Sequence, residues 1–343
     1  REAVNRLEAQ LQRPLSPRNR SLTASRLGAA YDKLGEYDAA FAAFITAKEA
    51  LKTGNSIEGG VGFYAVGSVS RIRQHLETLI GEPAVSAAAQ VQSPVFIVGF
   101  PRSGTTLIDQ ILSSHPRLLV LEEKESLYDA LNDFLLPDTG LDRLATLGTA
   151  ALEDYRRKYW QRVDKFMPDR NNSHVFVDKL PLNTIFMPII ARLFPGARFI
   201  FAVRDPRDVV LSCFMQAFGL NEAMRHFLSL ADTARYYAAV MDIGINSMRR
   251  LQRSVHLLRY ETLVDDLENE ARRLCGFLGL EWESGMLRFQ DTARKRRINT
   301  PSYHQVVQPV YQSARARWRN YERHLSPVLE QLLPYVEYFD YGS

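Results

Sequence analysis

The stretch Val95-Phe-Ile-Val-Gly-Phe-Pro-Arg-Ser-Gly-Thr-Thr-Leu-Ile-Asp-Gln-Ile-Leu112 joins an apolar run to a glycine loop and a second apolar segment. The four residues Val95 to Val98 predict a short buried strand, and the apolar residues from Leu107 to Leu112 recur at helical spacing. A strand, a glycine loop and a helix in this order place free backbone N–H groups at the start of the helix, where an anion can bind. The sequence therefore predicts an anion site in an α/β protein.

The glycines of this loop have the spacing of a nucleotide-binding phosphate loop. Gly99 and Gly104 match G-x-x-x-x-G-K-[ST], but Thr105 occupies the lysine position and the loop carries Arg102 instead. That lysine normally reaches the terminal phosphates of a nucleoside triphosphate. Taken alone, the loop is also compatible with a simple turn or with a triphosphatase loop that has a variant lysine.

Length and composition set further bounds. A chain of 343 residues is long enough for one large α/β domain and a smaller unit. Its 43 basic and 39 acidic residues leave a net charge of +4, which suits small anionic ligands but does not favour nucleic acid. The sequence has no apolar run of about 18 residues, so we predict no transmembrane helix.

The cysteine content points to the chemistry of the compartment. The two cysteines, Cys213 and Cys275, lack the spacing of metal ligands and cannot build a disulfide framework. We therefore expect a reducing setting, a bacterial cytoplasm, and predict no metal site.

Residues 1–54 have a helical pattern that fits one tetratricopeptide repeat. The small residues Gly28 and Ala40 would let two antiparallel helices approach, with Tyr31 and Phe44 filling the groove between them. A generic helical hairpin is the alternative. Because a single repeat does not bury its own face, either further repeats precede this one or the hairpin docks on the rest of the chain.

Five apolar runs separated by helical patterns predict a doubly wound parallel sheet with helices on its faces. We place the strands near residues 95–99, 118–121, 174–178, 198–203 and 255–260. The predicted domain organisation is a repeat-like region at 1–54, a helix and linker at 55–92, and the main domain at 93–343. We expect the first region to serve acceptor choice or assembly, and its removal to leave nucleotide affinity nearly intact.

The segment Pro101-Arg-Ser-Gly-Thr-Thr-Leu107, following an apolar strand, resembles the 5′-phosphosulfate loop of sulfotransferases. These enzymes use 3′-phosphoadenosine-5′-phosphosulfate (PAPS) as the sulfonate donor, and matching segments extend to Tyr321. The resemblance implies a P-loop-type fold and a 5′-phosphate site. It assigns that site to Arg102, Ser103, Gly104, Thr105 and Thr106.

The resemblance also assigns catalytic residues. Glu122 and Glu123 follow the second strand, and in tyrosylprotein sulfotransferases the second glutamate of such a pair is the general base, which implies Glu123. A solvated charge run at the start of a helix is the alternative. Lys179 follows the third strand, where the family has a lysine at the oxygen that bridges phosphate and sulfonate. A surface turn is the alternative for Lys179. In the catalytic interpretation, Arg102 would assist Lys179 in stabilising the leaving oxygen.

Further donor contacts are implied at five positions. Arg204 and Ser212 match the arginine and serine that bind the 3′-phosphate, and Tyr260 matches a residue beside the adenine. An ordinary half-buried tyrosine at a strand end is the alternative for Tyr260. Ser302 matches a serine near the transferred sulfonate, and Arg317 stands where the family has lysine.

The function implied is transfer of sulfonate from PAPS to an acceptor hydroxyl, leaving 3′-phosphoadenosine 5′-phosphate. A tyrosine in a peptide is the favoured acceptor, while a carbohydrate or small-molecule hydroxyl stays open. A magnesium-dependent P-loop kinase or triphosphatase is one rival, and a non-catalytic repeat-bearing binding protein is another. Association as a homodimer is also left open.

Overall fold

The computed structural model describes residues 1–53, 62–80, 92–171, 173–291 and 315–342. The chain forms two compact units. One, which we call the terminal unit, consists of Arg1–Gly60, Asp205–Ala238 and Ser313–Ser343. The other, the sheet unit, consists of Val61–Arg204 and Ala239–Gln312. The domain boundaries predicted at residues 54 and 92 stay a prediction.

Helices precede the first strand, separate the strands and follow the last one. The strands are β1 (Val95–Gly99), β2 (Leu118–Glu122), β3 (Val175–Lys179), β4 (Arg198–Val203) and β5 (Val255–Arg259). The α-helices are α1 (Glu2–Leu11), α2 (Pro17–Lys33), α3 (Tyr37–Thr53), α4 (Val66–Leu79), α5 (Thr105–Leu112), α6 (Tyr128–Phe134), α7 (Gly140–Thr146), α8 (Thr149–Phe166), α9 (Asn183–Leu193), α10 (Pro206–Met215), α11 (Leu230–Leu251), α12 (Tyr260–Asp265), α13 (Leu267–Leu278) and α14 (Glu322–Tyr338). Short 3₁₀ helices span Ala223–Phe227, Gln252–Ser254, Ser284–Arg288 and Arg317–Tyr321.

The five strands form one parallel sheet in the order β2-β3-β1-β4-β5, which confirms the predicted fold class. Alternate side chains of β1 lie on opposite faces of the sheet. Val95 and Ile97 belong to the apolar core shared with α5 and α13, whereas Phe96 packs on the rings of Phe199 and Tyr159. Because both faces are covered, the central strands are continuous apolar runs.

The strand order creates a crevice at the carboxyl end of the sheet. The chain leaves β1 toward β2 on one side and leaves β4 toward β5 on the other. Ligands of open α/β sheets bind at such a switch point. Gly99 of β1 pairs with Ala202 of β4, so the glycine loop and Arg204 leave the sheet side by side.

In the terminal unit, α2 and α3 form the predicted helical hairpin. A Cβ at Gly28 would lie 2.8 Å from the Phe44 ring, so the close approach of the helices requires glycine there. Ala40 is fully buried in the same pair. The helices are confirmed, and their assignment as a tetratricopeptide repeat stays a prediction.

The hairpin packs on later segments of the same unit. The Phe41 ring lies 5.3 Å from the Phe214 ring of α10 and is stacked 4.2 Å from the His324 ring of α14. The buried Lys48 ammonium donates a hydrogen bond to the carbonyl of Gln216, at the end of α10 (2.9 Å). The apolar face of the hairpin is therefore covered by α10 and α14. Within the described ranges, no helix has both the length and the apolar character needed to cross a membrane.

Candidate functional site

The glycine loop has a backbone that only glycine accommodates at two positions. Gly104 precedes α5 with φ 93°, and a Cβ there would lie 2.7 Å from the Tyr260 ring. Gly99 has φ 151°, and its Cβ would lie 2.5 Å from the carbonyl oxygen of Ala202. Arg102, between them, adopts φ 72° without being glycine. Strained backbone of this kind concentrates at functional sites.

A hydroxyl from the neighbouring helix anchors the start of the loop. Thr184, on α9, accepts a hydrogen bond from the Gly99 N–H (2.7 Å), and its hydroxyl lies 2.8 Å from the Gly99 carbonyl oxygen. The side chains of Ser103, Thr105 and Thr106 are buried. Since the first N–H groups of a helix have no partner within that helix, the start of α5 offers donors to an anion.

Lys179 ends β3 and is fully buried, so the surface-turn alternative is wrong. Its ammonium nitrogen lies 2.8 Å from Glu123 Oε1, 3.3 Å from Glu122 Oε1 and 3.9 Å from Asp109 Oδ2. The register explains part of this arrangement, because Glu122 pairs with Lys179 across β2 and β3. One cation is thus enclosed by three carboxylates.

The charge balance keeps Lys179 protonated. Burial disfavours its charged form, but Glu123, Asp109 and Glu122 together outweigh burial and raise the pKa of the ammonium above its ordinary 10.5. A lysine whose pKa is raised on folding contributes stability that is fully present below pH 10.5 and is lost above it. Lys179 is therefore a fixed cation at neutral pH.

Glu123 is held at a bend beyond β2. It has φ 47°, and its N–H donates to the Lys179 carbonyl oxygen (2.8 Å). Its side chain is 38% exposed, whereas that of Glu122 is 16% exposed. Both carboxylates pair with a buried lysine, so they are more than a solvated charge run.

Arg204 and Tyr260 lie against the glycine loop. The buried Arg204 donates a hydrogen bond to the Arg102 carbonyl oxygen (3.4 Å), and its guanidinium carbon lies 5.0 Å from the centre of the Tyr260 ring. That distance is within the range of a cation–π contact. Tyr260 begins α12 and is half-buried.

The other predicted site residues belong to the terminal unit or lie outside the described residues. Ser212 is a half-buried residue of α10, and Arg317 begins a short 3₁₀ helix; both belong to the terminal unit. Arg317 forms an ion pair with Asp32 of α2 (2.8 Å), and Tyr321 donates a hydrogen bond to the same carboxylate (2.6 Å). Ser302 lies outside the described residues.

Asp178, the neighbour of Lys179, is a buried acid that no sequence motif singles out. Its carboxyl group is fully buried and accepts a hydrogen bond from the Tyr159 hydroxyl (2.9 Å). Burial raises the pKa of Asp178 to about 7, although the hydrogen bond from Tyr159 and the nearby Ser126 hydroxyl act in the opposite direction. Among the described residues, no cluster of three or more His, Cys, Asp or Glu side chains could hold a metal ion.

Residues 94–284, more than half of the chain, match the Sulfotransferase family. The chain belongs to this family, which confirms the predicted resemblance. An uncharacterized protein of Aquifex aeolicus (strain VF5) is 28% identical over 350 residues, covering 96% of this chain. The chain spans only 44% of the length of that relative.

Other similarities are more distant. Protein-tyrosine sulfotransferase 2 of Gallus gallus is 24% identical over 273 residues, covering 72% of this chain and 71% of that protein. Among solved structures, sulfotransferase STF9 of Mycobacterium avium has a TM-score of 0.46 and 14% identity, covering 87% of this chain and 86% of that chain. Mouse sulfotransferase SULT7A1 complexed with PAP has a TM-score of 0.43 and 14% identity, covering 78% of this chain and 90% of that chain.

Proposed function

We propose that this protein transfers the sulfonate group of PAPS to an acceptor hydroxyl. The observation that carries the proposal is the buried Lys179 ammonium paired with the accessible carboxylate of Glu123, at the end of the sheet where the glycine loop leads into α5. A fixed cation and an accessible base are the two groups that displacement at sulfur needs from a protein.

The residues present fit a donor that carries two separate anionic groups. The backbone N–H groups at the start of α5, with the hydroxyls of Thr105 and Thr106, would hold the 5′-phosphate. Arg204 would bind the 3′-phosphate through its planar guanidinium, and Tyr260 would contact the purine. A Cβ at Gly104 would crowd this cradle, because it would collide with the Tyr260 ring. Ser212, Ser302 and Arg317 are proposed as donor contacts from the family resemblance alone.

When bound, PAPS supplies an activated sulfonate whose sulfur–oxygen bond to phosphate breaks as the acceptor oxygen bonds to sulfur. Glu123 would take the proton from the acceptor hydroxyl. Lys179 and Arg102 would stabilise the negative charge that develops on the departing phosphate oxygen. The hydrogen bond from the Glu123 N–H to the Lys179 carbonyl oxygen, together with the φ of 47° at Glu123, supports this proposal because it holds Glu123 beside Lys179.

A tyrosine in a peptide is the proposed acceptor. The spacing of the glutamate pair resembles tyrosylprotein sulfotransferases, and the relative from Gallus gallus bears the name of such an enzyme. A carbohydrate or small-molecule hydroxyl is the second candidate. Glu125, two residues after Glu123, is also exposed, and its charge would favour a neutral or basic acceptor near Glu123.

Transfer of labelled sulfonate from PAPS to panels of tyrosyl peptides, glycans and phenols tests the proposal. We expect transfer to at least one class without added magnesium, and transfer slower by about 10²–10⁴ with the Glu123→Gln variant. The same preparation should be incubated with ATP and magnesium. Phosphoryl transfer or ATP hydrolysis, with no sulfonate transfer, would instead favour the P-loop kinase or triphosphatase.

A further inference from the structure

Asp109 is a third carboxylate at Lys179, and the proposed mechanism assigns it no role. It lies on α5, one helical turn after Thr105, and is fully buried. Its Oδ2 atom is 3.9 Å from Lys179 Nζ, and its Oδ1 atom accepts a hydrogen bond from the Ser113 hydroxyl (2.9 Å). The helix therefore fixes the direction of this carboxylate.

The distance separates Asp109 from the two glutamates. Glu123 and Glu122 lie within hydrogen-bond reach of the ammonium, but 3.9 Å is longer than a hydrogen bond. Asp109 consequently attracts the ammonium without occupying one of its three N–H groups. An N–H group that is not engaged by a glutamate can then donate to an oxygen of a bound donor.

Proton transfer changes the surroundings of Lys179. Once Glu123 has taken a proton from the acceptor, it is neutral and no longer attracts the ammonium. A buried ammonium without a counter-charge is unfavourable. Glu122 is partly exposed and therefore partly screened by solvent, whereas Asp109 is fully buried.

We propose that Asp109 is a positioning residue that keeps Lys179 charged and in place while Glu123 is engaged with the acceptor. The inference rests on the proposed function and adds Asp109 to the residues that support the Lys179 ammonium. Among the residues that the structure describes, the titratable groups facing Lys179 are Asp109 from α5, Glu122 at the end of β2 and Glu123 just beyond it. Strand β1 pairs with this position through Ile97, which does not titrate.

The test is Asp109→Asn, which preserves shape and the acceptor for Ser113 but removes the charge. We expect kcat to fall by about 10- to 100-fold, less than for a group that contacts the reacting atoms. The KM for PAPS should change by less than about threefold, since the effect belongs to the transition state. The loss of kcat at alkaline pH should begin at a lower pH in the variant than in the wild type, because Asp109 is one of the carboxylates that raise the pKa of Lys179.

Gln110→Met is the matched control. Gln110 is the next residue, is equally buried, and is not among the described groups that hydrogen-bond to the Lys179 ammonium, so this variant should keep the wild-type pH profile. Nuclear magnetic resonance of ¹³C-labelled lysine gives a readout independent of turnover. In Asp109→Asn, the Lys179 signal should titrate at lower pH than in the wild type.

Different results overturn different claims. An active wild type together with an Asp109→Asn variant of unchanged kcat and pH profile would overturn the inference and leave the function standing. A folded wild type that neither binds 3′-phosphoadenosine 5′-phosphate nor transfers sulfonate would overturn the function first. If Asp109→Asn does not fold, Ser113→Ala, which loosens the same carboxylate, should shift the profile in the same direction by a smaller amount; an unshifted profile in folded Ser113→Ala would then count against the inference.

Discussion

The carboxylates of Glu122 and Glu123 lie 3.3 Å and 2.8 Å from Lys179 Nζ, but the Glu123 side chain is the more exposed of the two. We expect Glu123→Gln to lower turnover by about 10²–10⁴ because it removes the base and preserves the shape. Glu122→Gln should have a smaller effect, since Asp109 and Glu123 still balance the charge of Lys179. Initial rates at saturating PAPS decide between the residues. A severe loss in Glu122→Gln with little change in Glu123→Gln would show that the predicted alignment is shifted by one residue.

Arg204 should set the preference for a 3′-phosphate. We expect 3′-phosphoadenosine 5′-phosphate to bind about 10- to 100-fold more tightly than AMP, the scale of a charge-assisted pair. Arg204→Ala should abolish this difference. Titration calorimetry of both nucleotides measures it, with Arg207→Ala as the control because Arg207 pairs locally with Asp205. Retention of the preference in Arg204→Ala would contradict the assignment.

Asp178 should make stability depend on pH. Because burial raises its pKa to about 7, the folded protein holds this proton between about pH 4 and pH 7 while the unfolded chain has released it. Its contribution to stability is therefore greatest below about pH 4 and is lost as the pH rises through about 7. Asp178→Asn should remove this dependence of the free energy of unfolding on pH. The total change across the range is a few kcal/mol at most, by order of magnitude. Urea unfolding of both proteins at pH 5, 6 and 8 checks it; parallel slopes would contradict the prediction.

At the level of the loop, Gly104 should tolerate no side chain. Gly104→Ala forces a left-handed backbone on alanine and drives its Cβ into the Tyr260 ring, so we expect a loss of about 1–3 kcal/mol of stability and weaker nucleotide binding. Gly276→Ala in α13 is the matched control, since a Cβ there meets nothing within 4 Å. It should stabilise the protein by up to about 1 kcal/mol. Thermal melts of the two variants give the comparison, and similar effects would argue against a special loop geometry.

The strands and the loop were predictable because their patterns are local. Apolar runs bounded by turns gave all five strands to within about one residue, and the glycine spacing gave the loop before α5. The contacts of Thr184, Asp109 and Asp32 were not predictable, because each joins segments far apart in the chain. Lys179 illustrates the limit. A charged residue at the end of an apolar run reads as surface, and only the three surrounding carboxylates make its burial tolerable.

For the whole molecule, the contacts of the hairpin alter what its removal should do. Phe41 packs on Phe214 and His324, so deleting residues 1–53 would expose a large apolar surface on α10 and α14. We therefore expect the truncated chain to aggregate or to lose cooperative melting in the terminal unit, rather than to keep nucleotide affinity nearly intact. Circular dichroism melts and size-exclusion chromatography of the full-length and truncated chains measure cooperativity and aggregation. A monomeric, cooperatively folded truncation would restore the expectation drawn from the sequence.

The terminal unit draws its parts from three distant stretches of the chain, and this sets an order for its assembly on the ribosome. The hairpin ends at Thr53, but α14, which covers it, begins at Glu322. At roughly 5–20 residues per second, synthesis of α14 begins about 13–54 s after the hairpin is complete. During that interval its apolar face has no partner from α14. We expect a chaperone to bind the hairpin during this interval. Slower translation lengthens the interval, so it should lower the yield of folded protein more than for a chain whose units are each continuous in sequence.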